Sequence, residues 1–561
     1  TFENVYLSVF KEYEFKNYTS SKLDFFPYAT LTENIAKGDF EAKSGAEIFW
    51  KIDSSKQINV TLNPDFGQVE SDEVVVNFSA FETFYSDKRP FFSENNNLFD
   101  VKGRMHRIIN TRRIGGKPDY DCSVYGEDSD YCNSNQVDSS EIDFALKYTQ
   151  KGELDFGFLS ASERDQKFSE GRDFYALRLN TKKNDLRYGY LGTYVDKPVF
   201  DDSALVNSFD LEYLPSKIHR LTSNLMHSKA EDKDGFGLTL GYRYDPNKDF
   251  SSGLGIYYYD DDLDLNDMGY LILNDRLQFN GRTQFKKTDF SKDSSLRARL
   301  FEIGYGSKFN ADSTRESSNM AFKIETNFKN LSEIKTEIFY RSTGRNTRIT
   351  RGSNLSPYIL MPKGVGGYIE FTGPRRPLYI YSLRHERGKG SEHSPEIGWK
   401  NSSRAYIKFM PLDTLSFNMM YQYAEESNWL NWLEDNLLAT YERKQRTSIL
   451  ELEWFHNNKH ELRVKAQMVA FTGRNPAPYY GDKFGNLNPA SLDLSPITIS
   501  ELAFQVRYRY ELMPLSYLYV VYSKGGRVSL EDEEDNLFSL YRRPWNSPEK
   551  ENFTVKLRYR F

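Results

Sequence analysis

Apolar and polar residues alternate with a period of two through most of this chain, the pattern of strands that face two different media. Leu186-Tyr188-Tyr190, Ile334-Thr336-Ile338-Tyr340, Leu462-Val464-Ala466-Met468 and Leu502-Phe504-Val506-Tyr508-Tyr510 each place apolar side chains on one face. The segment 551–561 is the clearest case. Phe553, Val555, Leu557, Tyr559 and Phe561 share one face, and Thr554, Lys556, Arg558 and Arg560 share the other. Cations need water and an apolar row needs a core, so a soluble sheet rarely carries both across one strand. A wall between lipid and a polar lumen requires both.

The connections alternate too. Short turns at Lys182–Asp185, Pro215–Lys217, Asp245–Lys248, Asn330–Ser332, Pro411–Thr414, Asn457–Lys459 and Met513–Leu515 are rich in Pro, Asn, Asp and Ser. Between them lie longer polar stretches at 259–268, 309–318, 344–365, 389–401, 426–444, 471–499 and 524–549, expected as loops. Short turns on one rim and long loops on the other describe an outer-membrane barrel with its short side periplasmic. The expected fold is therefore all-β, a transmembrane antiparallel β-barrel of about 24–26 strands. Its closing strand resembles that of bacterial outer-membrane barrels, which ends on an aromatic residue.

The alternation holds from the C-terminus back to residue 141 and fails between 64 and 110. Segments 56–64 and 99–109 would both run outward, so 65–98 must return, either as an extra strand or as a plug in the lumen. Val74 to Tyr85 has strand character, whereas Lys88-Arg89-Pro90-Phe91-Phe92 reads as constrained and non-strand. Residues 1–22 read as a linker from an upstream module and 23–561 as the barrel. No signal-peptide pattern is visible at Thr1.

Composition agrees with this division. No run of about 18 apolar residues exists, which excludes helical spans. The mean hydropathy of −0.68 would suggest a soluble protein, but alternating strands defeat such an average. Tyr (39) and Phe (41) are abundant enough to furnish the aromatic girdles of a barrel. A net charge of −6 argues against nucleic acid as a partner. Cys122 and Cys132 are expected to close a small surface loop by a disulfide.

The irregular region carries a resemblance. Asn63-Pro64-Asp65-Phe66-Gly67-Gln68-Val69-Glu70, Phe78-Ser79-Ala80-Phe81-Glu82-Thr83-Phe84 and Lys88-Arg89-Pro90-Phe91-Phe92-Ser93-Glu94 follow one another in order. Leu23-Asp24-Phe25-Phe26-Pro27-Tyr28-Ala29-Thr30 precedes them and Arg112-Arg113-Ile114-Gly115 follows. The set resembles a family of uncharacterised bacterial proteins in which a carbohydrate-binding-like module of the family-nine kind precedes a long domain of unknown function. That module is missing from these residues, and the Cys122–Cys132 loop departs from the pattern. The resemblance implies fold and location rather than activity.

Several groups are candidates for chemistry. Lys88, Arg89, Pro90, Phe91 and Phe92, with Glu70, Glu82 and Glu94 as counter-charges, form either a luminal constriction or a structural plug. Arg463, Lys465, Arg507, Arg509, Lys556, Arg558 and Arg560 fall on the inward parity. They make either a positive wall that favours anions or ion pairs with acids such as Glu461 and Glu501. The acidic runs Asp260-Asp261-Asp262-Leu263-Asp264 and Glu531-Asp532-Glu533-Glu534-Asp535 match no spaced calcium loop and read as surface charge. Trp429, Trp432, Tyr479, Tyr480 and Trp545 suit a girdle better than a sugar platform. His106, His219, His227, His385, His393, His456 and His460 show no metal spacing, and no cofactor or metal is expected.

Three functions follow in order. The first is a plugged or gated channel, or the membrane half of a complex, for an anionic or saccharide solute. The second is a platform that anchors a binding module or partner without transport. The third, a barrel-embedded hydrolase, is the least supported, and no enzyme activity is expected. Expected partners are outer-membrane lipid and lipopolysaccharide, a periplasmic or surface protein, and the barrel assembly machinery acting on the C-terminal strand.

Overall fold

The computed structural model describes residues 21–64, 84, 87, 89–230, 233–390, 398–531 and 536–561. Among them, 24 antiparallel strands close into one barrel. The three-residue strand Leu487–Pro489 is a side addition to the strand His460–Gly481. Closure is made by the first strand, Lys22–Asn34, which pairs with Asp39–Lys51 on one side and with the last strand, Lys550–Arg558, on the other. Every other wall strand pairs with its neighbours in sequence, so the barrel is an up-and-down meander.

The wall has two unlike faces. Along Asp173–Lys183, Tyr175 and Leu177 are exposed on the outside, while Phe174, Ala176 and Arg178 are buried on the inside. Large apolar side chains such as Leu254, Phe279, Ile338, Leu383 and Leu450 stand exposed on the outer face, where lipid covers them. The protein is a bacterial outer-membrane β-barrel that crosses the bilayer with strands.

The short turns fall where the sequence places them. Two long connections do not. Leu415–Glu434 and Leu437–Asn457 run as strands through most of 426–444, and His460–Gly481 runs through the first part of 471–499. These hairpins extend past the membrane because Trp429, Tyr441, Phe471 and Ile499 pack as an apolar cluster at their upper ends. The last long connection holds the helix Leu537–Asn546, capped by Asn536 Oδ1, which accepts from Phe538 N at 3.0 Å. Ser448 Oγ meets Tyr541 Oη at 3.0 Å, and Phe504 meets the Trp545 ring at 5.4 Å, seating the helix on the outside of the wall.

The parity failure has a simple resolution. Residues 99–109 form no wall strand, contrary to the expectation. The strand Lys56–Leu62 pairs directly with Ile142–Gln150, so everything between them is inserted at a single point in the wall. Both strands meet the insertion at the long-loop rim, so it enters from the outer side. The Val74–Tyr85 reading (Phe84 apart), Glu70, Glu82, Lys88, His393, 532–535 and most of the proposed linker lie outside the described residues; Lys22 already belongs to the first strand.

Candidate functional site in the barrel lumen

The inner wall from Ile142 to Tyr259 carries an apolar strip among its polar groups. Ala145, Leu159, Ala161, Phe174, Ala176, Leu191, Val195, Ala204, Val206, Met226 and Tyr259 point inward and are buried. An apolar strip inside a wet lumen must be covered. The insertion covers it with Phe91, Phe92, Leu98, Phe99, Val101, Met105, Ile108 and Ile114, in one continuous core.

Local sequence explains how the insertion is shaped. Pro90 opens the helical turn Pro90–Ser93, whose Phe91 and Phe92 are both 1% exposed. Arg89 is held by Asp87, with its Nε 2.9 Å from Oδ1, and donates to the carbonyls of Thr111 and Ile114, the latter at 2.8 Å. Its guanidinium also stacks 4.3 Å over the Phe92 ring. Burial alone would raise the Asp87 carboxyl, but the hydrogen bonds and charge of Arg89 hold it below the usual carboxylate range. Glu94 accepts from Gln57 Nε2 at 3.0 Å, so it faces the wall rather than Arg89.

The wall answers with matched groups. Lys147 Nζ, itself buried, donates to the carbonyls of Phe91, at 2.6 Å, and Glu94. Gly157 is the contact point for two insertion side chains: a Cβ there would lie 2.7 Å from Phe99 Cζ and 2.9 Å from Leu98 Cδ2. The connection 260–275 folds in over the insertion. Tyr270 and Leu271 pair with Arg107 and His106, and Asn110 N donates to Met268 O at 2.7 Å. Leu263 and Leu265 are buried there, so the acidic run 260–264 is anchored and not simply surface charge.

Between residues 97–104 and the wall remains a cleft of about 580 Å³ lined by Asp100, Arg104, Arg178, Asn180 and Asp210, among others. Arg178 makes a two-pronged bond to Asp210, and Gly189 leaves the space its guanidinium occupies.

The seven C-terminal cations lie elsewhere on the inner wall, near the short-turn rim. Arg463, Arg507 and Arg509 converge on Glu461, at 2.5, 2.7 and 2.5 Å. Lys465 stands 3.8 Å from Glu451, Arg558 bonds Glu47 at 2.7 Å and Arg560 bonds Asp24 at 2.6 Å. Lys556 lies 4.8 Å over the Tyr28 ring, and Glu501 pairs with Arg527 at 3.1 Å. His385 faces outward beside Leu383 and meets Ser403 Oγ at 2.9 Å, while Glu386 faces inward with Arg384. Trp429 is buried against Phe471, and Trp432 lies beneath Arg351. Cys122 and Cys132 are disulfide-bonded, as expected.

Lys147, Gly157, Arg178 and His106 escape a reading by motif. The signal that marks them is the loss of alternation in their strands: Phe174-Tyr175-Ala176-Leu177 is apolar on both faces, which means both faces are covered.

A family model described as "Domain of unknown function (DUF5916)" matches residues 19–174 and 213–561. No curated protein sequence matches the chain. Among solved structures, the siderophore receptor PirA from Acinetobacter baumannii is 8% identical, with a TM-score of 0.39, covering 97% of this chain and 81% of that one. The outer membrane protein OprD from Pseudomonas aeruginosa is 10% identical, with a TM-score of 0.32, covering 72% of this chain and 88% of that one. Similarity at this level carries no statement about solute or gating.

Proposed function

The chain belongs to the DUF5916 family, whose description assigns no function, and from the geometry of the lumen we propose that it is an occluded conduit across the outer membrane. In this reading the inserted segment is a plug, held on the inner wall and released to open a path. A barrel of this strand number encloses a wide lumen that must be filled to stay closed. One observation supports the reading above others: an apolar strip on the inside of the wall, matched by an insertion that covers it. A purely structural barrel has no need of an apolar inner strip, since polar residues would serve. The remaining inner wall is rich in charge and amide groups, which suits a polar solute, anionic or saccharide, and the reading gives the barrel no catalytic role.

A second reading has its own support. Phe561 N donates to Phe25 O at 2.9 Å, so the first strand starts at the short-turn rim, beside the last residue. A module joined ahead of Lys22, of the carbohydrate-binding kind or another, would leave from the periplasmic rim, and the barrel would then be its platform.

Single-channel conductance in planar bilayers separates the two. The full chain is compared with a variant in which a short Gly-Ser linker replaces residues 65–116. A closed full chain and an open deletion support the conduit. Closed currents from both, with an assembled barrel, favour the platform.

A further inference from the structure

A second set of luminal cations stands where the plug meets the wall, and it differs from the C-terminal set in having few acids. Lys308, on the strand Leu296–Phe309, feels the charges of Arg276, Glu316, Arg104 and Arg341. Glu316 is already engaged by Arg276, at 2.9 Å. Arg276 in turn feels Arg348 and Asp275, and those two are 3.6 Å apart. Among the described residues, no carboxylate lies in ion-pair range of Lys308 or Arg104.

Register places Gln278 opposite Lys308, and Lys308 opposite Ser317, on the inward face. One residue pair lower, Gly306 lies between Asn280 and Asn319; a Cβ on Gly306 would fall 2.8 Å from the end of the Asn280 amide and 3.0 Å from Asn319 Oδ1. With its amide turned to suit its neighbours, Asn280 Oδ1 accepts from Arg104 Nη1 at 3.1 Å. Arg276 is only 4% exposed, and its Nε has no hydrogen-bond partner. A buried guanidinium donor without an acceptor is costly unless something supplies one.

We propose that Arg104, Arg276, Lys308 and Arg341 form a binding site for an oxyanion group, a phosphate, sulfate or carboxylate, carried by a solute in the lumen. Guanidinium forks and a lysine ammonium match the tetrahedral or planar oxygens of such groups, and the excess of cations over acids supplies the attraction. Arg104 belongs to the plug and the other three cations to the wall, so an anion seated here touches both. The inference rests on the conduit reading for the role of the anion, but the binding itself is separate from conduction.

The test is isothermal titration of the full chain in detergent with inorganic phosphate, at ionic strength held constant with chloride. Saturable binding is expected, about tenfold weaker in Lys308→Met and in Arg104→Gln, and unchanged in Lys465→Met on the C-terminal wall. Arg104 is exposed, so its substitution leaves assembly intact; a heat-dependent mobility shift checks each variant. No saturable binding overturns the proposal, as does equal affinity in all variants or an equal loss in Lys465→Met. A barrel that binds phosphate but stays closed after plug deletion sinks the conduit and keeps the site. An open deletion variant from a chain that binds no phosphate does the reverse.

Discussion

Arg558 bonds Glu47 across the seam of the barrel, with Nε at 2.8 Å and Nη2 at 2.7 Å from Oε2, although the whole first strand lies between them. Arg558 pairs in register with Tyr28, and Glu47 with Phe26. The guanidinium also stacks 3.8 Å over the Phe26 ring. The closing strand is therefore tied by its side chain to the second strand as well as by its backbone to the first. Either Arg558→Ala or Glu47→Ala should cost about 2 kcal/mol, since each leaves a partly buried charge without its partner. The measurement is the midpoint of heat-induced unfolding on a gel. The double variant should lose little more than either single one, and fully additive losses would show that the two side chains are not coupled.

Gly157→Val tests whether the insertion depends on this wall. The new side chain meets Phe99 and Leu98 at distances that atoms do not tolerate, so one partner has to move. Valine suits a strand, and the wall is held by hydrogen bonds on both sides of Leu154–Glu163, so the insertion should yield. Overpacking of this kind costs about 1–3 kcal/mol. Faster proteolysis within 89–116 and a higher resting conductance are expected, with the barrel intact by its gel shift. A variant as resistant and as closed as the parent would mean that another contact holds the insertion.

Acid should loosen the same interface through His106. Its Nδ1 lies 2.9 Å from Tyr259 Oη, and its Nε2 is buried without a partner. Burial, the one cause acting on it, pushes its pKa down from 6.5 to about 4. Docked, the ring stays neutral; released into water, it takes a proton near 6.5. Below that value the released form gains a proton that the docked form refuses, so docking weakens as pH falls from 6.5 towards 4 and is insensitive above that window. The loss approaches tenfold in the docking equilibrium for each pH unit. Hydrogen exchange of amides 105–114, corrected for intrinsic rate, should rise between pH 7.5 and pH 5, and His106→Gln should flatten the rise.

How much of this the sequence discloses depends on what each face of a strand meets. The strand Lys550–Arg558 is legible because lipid and water impose opposite demands on its two faces. Segment 99–109 misleads because Val101, Met105 and Ile108 imitate a wall strand, whereas they cover an apolar strip inside the barrel. The inward parity of Arg558 and Arg560 is readable, but their partners Glu47 and Asp24 lie 511 and 536 residues away, where no local pattern points. The same holds for Arg104, Arg276, Lys308 and Arg341, which four separate segments contribute. Loops 426–444 and 471–499 look polar enough for irregular structure, and packing of Trp429 on Phe471 and Tyr441 helps to keep most of the first and the start of the second as strand.

The disulfide should matter outside the membrane and nowhere else. Cys122 and Cys132 close a loop whose Tyr125 and Tyr131 rings flank Phe168, at 4.9 and 5.9 Å, while Lys167 Nζ lies 4.5 Å over Tyr131. The loop thus clasps the hairpin between Leu154–Glu163 and Asp173–Lys183 at its outer tip. Closing a loop of this length is worth about 2–3 kcal/mol of chain entropy, which corresponds to roughly a hundredfold in local opening. Cys122→Ser with Cys132→Ser should therefore speed chymotryptic cleavage at Tyr125 and Tyr131 by about that factor. The heat-induced unfolding midpoint should stay where it is, because no strand of the wall draws a backbone hydrogen bond from residues 122–132 among those described. A fall in that midpoint would show that the clasp braces the barrel and not only its own loop.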